Sequence, residues 1–212
     1  MAHNFYPCDR DQPMLMPPSV SDWVSQDHLA HFIVDCVGQL DLRPIYSKFR
    51  VDGKGHTAYD PAMLVALLLY SYAIGVRSSR QIERGCAERI PERYISANQF
   101  PDHCTIARFR KRFSPHIQDI FVQILRMCNK AQMIKLGTVA IDGTKVEANA
   151  AMDSNGLRSH FEQIAKKILE EAEAIDAEQD RQYGEAKRGD EQPDWMRDPA
   201  ERRKKIRELL QA

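Results

Sequence analysis

Thr138-Val139-Ala140-Ile141-Asp142-Gly143-Thr144-Lys145-Val146-Glu147-Ala148-Asn149-Ala150 is the stretch around which the chain reads. Thr138 to Ile141 is a short apolar run with β-branched residues, the pattern of a buried strand. Asp142 ends the run, and Gly143 supplies the freedom a tight turn needs. Lys145 to Ala148 alternates again and reads as a returning strand. A carboxylate fixed at the end of a buried strand is a pre-aimed hard oxygen ligand, which suits Mg²⁺ in phosphoryl transfer. The same dipeptide is also the commonest hairpin turn, so Asp142 carries two readings, metal ligand and turn residue. One aspartate does not hold a catalytic metal pair, and the rest of the chain must decide.

The 212 residues are 43% hydrophobic, enough for a sizeable core in one or two domains. The formal net charge is zero, but the charges are segregated. Between Arg77 and Arg112 nine basic side chains (Arg77, Arg80, Arg84, Arg89, Arg93, Arg108, Arg110, Lys111, Arg112) face four acidic ones (Glu83, Glu88, Glu92, Asp102). From Glu162 to Glu201 the balance reverses. That segregation implies one face for a polyanion and a separate, solvated acidic arm. The five cysteines are widely spaced, odd in number and free of any C-x-x-C pair, which argues against a zinc site or a disulfide framework. The start of the chain lacks the order of a signal peptide. The longest apolar run, Ala62 to Leu69, is far short of the ~20 residues of a membrane span. The expectation is a soluble, cytoplasmic protein with no membrane partner.

Residues 1–20, with Pro7, Pro13, Pro17 and Pro18, read as an extended arm. A first helix is expected from about Asp27 to Leu40, with Asp27 as its cap and Leu29, Phe32, Ile33, Cys36, Val37 and Leu40 as its apolar stripe. His28 and His31 lie three apart on it and read as exposed residues, since no third metal ligand is near. Gly53-Lys54-Gly55-His56 lacks the P-loop spacing and reads as a flexible turn, with a DNA-backbone contact as its second reading. Asp60-Pro61 opens a helix whose residues Met63 to Tyr70 leave almost no polar face, so it should be buried on all sides. Gly75 ends it in a left-handed cap.

Ser78 with Gln81 fits a capping box and starts another helix, on which Arg77, Arg80 and Arg84 share one face. After Pro91 comes a third basic element, Pro101 to Phe113, capped by Asp102. Ile106, Phe109 and Phe113 face inward there, and Arg108, Arg110, Lys111 and Arg112 are expected to point out. Short helices with an arginine-rich last one make a helix-turn-helix pattern, and guanidinium forks suit phosphates and guanine edges. Ser114-Pro115 begins a further amphipathic helix to about Ala131. Leu157, Phe161, Ile164, Ile168, Ala172 and Ile175 give a long helix with the period of a two-helix seam. The stretch 181–198 is polar and broken by glycine and proline, and Ala200 to Leu210 is helical again.

Several segments together resemble bacterial insertion-sequence transposases of the DDE type with an InsH-like N-terminal domain. They are Pro17 to Val24, Asp27 to Ala30, Ala58 to Leu64, Gly75 to Glu83, Pro101 to Arg110 and Ala140 to Lys145, in the family's order. The resemblance implies a mainly α chain in four parts: an extended arm (1–20), a helical DNA-binding domain (21–131), the first β-strands of an RNase H-like catalytic domain (132–156), and a helical hairpin insertion (157–212). It implies that Asp142 is the first of three catalytic, metal-binding carboxylates. In the complete enzyme Mg²⁺, or Mn²⁺ as its substitute, would serve DNA strand cleavage and transfer. The implied partner is double-stranded DNA at terminal inverted repeats, bound through Arg77, Arg80, Arg84, Arg108, Arg110, Lys111 and Arg112, with a second copy or the full-length transposase as protein partners. No strand-like run follows Ala150, so the second and third carboxylates have no counterparts, and Glu147 need not point at Asp142. A fragment of a transposase and a non-catalytic DNA-binding remnant or inhibitor both fit. A helical protein-interaction module is a third reading.

Overall fold

The structure, a computed structural model, describes residues 19–49, 58–130, 154–191, 193–196 and 198–211. Its elements are α1 (Leu29–Gly38), α2 (Arg43–Tyr46), α3 (Pro61–Ala73), α4 (Ser79–Glu88), α5 (Ile90–Ile95), α6 (His103–Lys130), α7 (Ser154–Tyr183) and α8 (Pro199–Gln211), with short 3-10 turns at Val20–Trp23 and Asp194–Met196.

α3 is the centre. Pro61 and every residue from Met63 to Tyr72 is buried, and α1, α4, α5 and α6 pack around it. A helix apolar on all sides has no face to give to water, so it must be surrounded. Asp60 caps it by accepting from the Ala62 N–H at 3.2 Å, with Pro61 in the first turn. Past its end Gly75 sits at φ +84°, a left-handed conformation that side chains disfavour.

α6 is long because the two helices expected on either side of Ser114-Pro115 run on as one. Phe113 (φ −113°, ψ 16°) marks the kink between them. Pro115 has no N–H to donate to the preceding turn, which accounts for the break. Before the kink Ile106, Phe109 and Phe113 face the α3 core, as their spacing predicts. Beyond it Ile117, Ile120, Phe121 and Ile124 are buried, and α7 packs along α6. The seam of α7 is carried by Phe161, Ala165, Leu169 and Ala172, with Ile164 and Ile168 beside them and Ile175 largely outside. All of these except Ile175 belong to one continuous core with the α3 layer.

Three expectations are corrected. Among the described residues there is no strand, so the anticipated first β-strands of an RNase H-like domain are not part of the described fold. Residues 138–150, Asp142 included, lie outside the described residues, as do the 1–18 arm and the Gly53–His56 turn. Two short strands make only one ladder and need further partners, whereas the apolar surface here is buried helix against helix. The cap of α1 is His28, whose Nδ1 accepts from the Ala30 N–H at 3.1 Å, while Asp27 accepts from the Ser25 hydroxyl. Neither histidine is a freely exposed helix residue. Both are half-buried, and the His31 ring lies 4.6 Å from that of Tyr94 with Nδ1 3.1 Å from its hydroxyl.

The core can be tested at two positions. Leu68 is 1% exposed inside α3. Leu68→Asp places an unpaired charge there, and the cooperative thermal transition is expected to vanish; a soluble variant with the parent's melting temperature contradicts the central place of α3. Glu92 is 1% exposed, and burial raises its carboxyl pKa although Arg89, 2.6 Å away, pulls it down. A carboxyl raised in the folded state binds its proton more tightly there than when unfolded, so its contribution is greatest at acid pH and declines as pH rises through the folded value. Glu92→Gln removes that decline. The difference in urea midpoint between variant and parent should therefore shift in the variant's favour as pH rises toward neutral; a pH-independent difference contradicts the raised carboxyl.

Candidate nucleic-acid interface

The seven basic residues singled out in the sequence divide into two groups. Arg80 and Arg110 are inside the molecule, at 4% and 2% exposure. Arg110 donates from Nη2 to Asp176 Oδ2 at 2.6 Å and from Nη1 to Ser79 Oγ at 3.1 Å. Asp176 in turn accepts from the Ser79 N–H at 2.8 Å and from its hydroxyl at 2.5 Å. Ser79 is the first residue of α4, so the Asp176 carboxylate also faces the positive end of that helix. The Tyr72 phenol beside this group is pushed up by burial, with Arg110 opposing the shift.

Arg80 is held as closely. Its Nε donates to the Lys187 carbonyl at 2.9 Å, and its Nη2 to Asp180 at 2.7 Å and to the Gly184 carbonyl at 2.9 Å. Arg84 is paired with Asp190, and Arg77 lies 3.6 Å from Glu171 while donating to the Tyr72 carbonyl at 2.6 Å. The acidic stretch after Glu162 is therefore not a separate solvated arm. It lies against the basic face of α4 and α6. Asp176, Asp180, Glu185 and Asp190 are the residues that sequence reasoning missed. The reversal of charge balance was visible, but its consequence, that the two halves attract, was not drawn.

His103, at the start of α6, joins the same contact. Glu83 accepts from its backbone N–H at 3.1 Å and lies 2.7 Å from Nδ1, while Nε2 is 3.0 Å from the Glu185 carbonyl. Both ring nitrogens thus face oxygen atoms of other elements, which fixes the orientation of the ring. Cys104 donates to the same carbonyl at 3.1 Å, and burial raises its thiol pKa.

The second group stays outside. Arg108, Lys111 and Arg112 are exposed and, at spacings of three and four, share one face of α6. Arg108 donates from Nε to the Cys104 carbonyl of its own helix at 3.0 Å. Arg112 donates to the Lys48 carbonyl at 2.9 Å, and its guanidinium lies over the Phe49 and Phe113 rings at 5.6 and 5.1 Å. Lys111 has no ion-pair partner among the described residues. Arg108 and Lys111 border a cleft of about 550 Å³ whose other wall carries Asp176, Asp180 and Glu185. Arg110, one residue from Lys111, is turned inward and buried. The expectation that all four cations of this run face outward holds for three of them.

Asp142, the expected metal ligand, lies outside the described residues. Among the described residues no three His, Cys, Asp or Glu side chains converge on a point that would hold a metal ion. The fit to Mg²⁺ therefore has no geometric support among them. Nor is any described helix long and apolar enough to cross a membrane.

Residues 18–112, slightly less than half of the chain, match the family model described as Transposase domain (DUF772). That match supports a transposase family. It runs from the 3-10 turn before α1 to the exposed cations of α6, and it supports a transposase function for the chain. No curated protein and no solved structure matches.

The buried pair yields a prediction. Asp176→Ala leaves Arg110 charged, buried and short of its carboxylate, which should cost about 3–5 kcal/mol. Arg110→Met combined with Asp176→Leu removes both charges and should recover most of the loss. Chemical denaturation of the three proteins decides; a single variant as stable as the parent would show that the pair does not hold α7 to α4 and α6.

Proposed function

We propose that this chain is the DNA-binding part of a transposase, contacting duplex DNA at transposon ends through Arg108, Lys111 and Arg112. The observation that carries the reading is the exposed cationic face of α6 inside the stretch similar to transposase domains. Three cations on one rigid helix present donors at a fixed spacing, and two of them are guanidiniums able to grip phosphate oxygens in pairs. Arg112 is oriented in advance by the Phe49 and Phe113 rings, which lowers the entropy cost of binding. Zero net charge does not oppose this, because the acidic residues are concentrated on other elements and part of their charge is already neutralised against α4.

Strand cleavage and transfer belong to the proposal through the resemblance around Asp142, which in the complete enzyme would be one of three carboxylates holding Mg²⁺. The alternative is a non-catalytic protein that occupies transposon ends and inhibits the full-length enzyme, pairing with it or with a second copy. Metal-dependent nicking separates the two readings.

The test is duplex binding as a function of salt. Arg108→Glu combined with Lys111→Glu should lower affinity at least tenfold at low salt. It should also shrink the logarithmic salt slope by about 0.9 for each phosphate that is no longer neutralised. The folded helix content should be unchanged, since both residues are exposed. Parent and variant binding alike would place the interface elsewhere. Asp142→Ala should bind DNA as the parent does; failure to bind would assign that aspartate to the fold or the interface.

A further inference from the structure

α7 changes character at Asp176. Before it, Phe161, Ala165, Leu169 and Ala172 are buried in the core. From Ala177 to Glu191 no residue is buried. What holds this later segment down is polar throughout. Gln179 accepts from the Ser78 hydroxyl at 2.6 Å. Asp180 and the Gly184 and Lys187 carbonyls hold Arg80, Asp190 pairs with Arg84, and the Glu185 carbonyl faces His103 and Cys104. Gly184, at φ +85°, ends the helix and turns the following carbonyls onto Arg80. The segment holds five acidic and three basic residues, and two of the basic ones, Arg181 and Arg188, are paired within it to Glu178 and Asp190.

We propose that residues 177–191 are an acidic strap covering a second phosphate-contacting surface, Arg80 and Arg84, and that the strap and duplex DNA compete for it. The inference rests on the DNA-binding reading above and adds its regulation. Carboxylate and carbonyl oxygens give Arg80 what phosphate oxygens would give it, so exchanging one for the other leaves the guanidinium satisfied. The surface adjoins the exposed face, because Arg80 lines the same cleft as Arg108 and Lys111. A duplex seated on Arg108 and Lys111 brings its phosphates to the edge of the strap. Only the polar segment has to leave. Asp176 remains on Arg110, and the apolar seam of α7 stays closed. A seal made of ion pairs also weakens with salt, unlike the apolar seam beneath it.

The test is the duplex affinity of Asp180→Asn combined with Asp190→Asn, beside Glu170→Gln combined with Glu173→Gln. Both variants remove two negative charges from this end of the protein, but Glu170 and Glu173 are exposed on α7 outside the strap. The strap variant should bind up to about tenfold tighter, the size of two half-exposed pairs, and the control should bind as the parent does. In the parent, amide hydrogen exchange across 177–191 should speed up when duplex is added, while 161–172 stays protected. Equal tightening in strap variant and control shows a general charge effect and overturns the strap. So does unchanged affinity, or unchanged exchange with DNA bound; in each case the DNA-binding reading stands if Arg108→Glu with Lys111→Glu still weakens binding. If neither the parent nor the strap variant binds duplex, the DNA-binding reading itself fails and the strap falls with it.

Discussion

One carboxylate between two helices sets much of this architecture. Asp176 accepts from the backbone of Ser79, from its hydroxyl and from Arg110, and so ties the far part of α7 to the start of α4 and to α6 before its kink. Each of the three gains a partner at a place where burial leaves it little contact with water. Burying two charges is costly in itself and not an efficient source of stability. Its effect is to fix position: α7 sits in the one register that brings Asp176 opposite Arg110, and that register then sets Asp180 beside Arg80.

The helical class and most of the N-terminal layer were legible in the sequence. Asp60-Pro61 and the unbroken apolar run after it specify α3 by local chemistry, and Gly75 specifies its end. Ser78 caps α4 as its spacing to Gln81 suggests, accepting from the Gln81 N–H at 3.3 Å. These features depend on neighbours within one or two turns. The direction of Arg110 does not. A run of basic residues on one helix reads as a charged face, and the member that points inward is fixed by a partner 66 positions away. The cap of α1 failed for a related reason. Asp27 and His28 both have side chains able to accept from the first turn, and the sequence does not say which of the two leaves the helix.

The candidate interface was half legible. Exposure singles out Arg108, Lys111 and Arg112, and no pattern in the sequence separates them from Arg110 except helical phase relative to Phe109 and Phe113. By that phase, Arg110 falls beside the inward-facing pair. The acidic partners were present as composition alone. Opposite charges segregated along a chain with zero net charge invite intramolecular pairing as much as solvation. The same bias that suggests a polyanion site in one half supplies a competitor for it in the other.

The kink at Phe113 has a geometric consequence. Downstream of Pro115, α6 continues to Lys130, about 22 Å of helix at 1.5 Å per residue. A tilt of ~10° at the kink would carry the distal end of that rod roughly 4 Å, while Arg108 upstream would hardly move. The pivot lies under the stacked Phe49, Phe113 and Arg112 groups. α7 spans that pivot, with Phe161 to Ala172 buried along the downstream arm and Asp176 held by Arg110 upstream, so it splints the two arms of α6 and sets the angle between them.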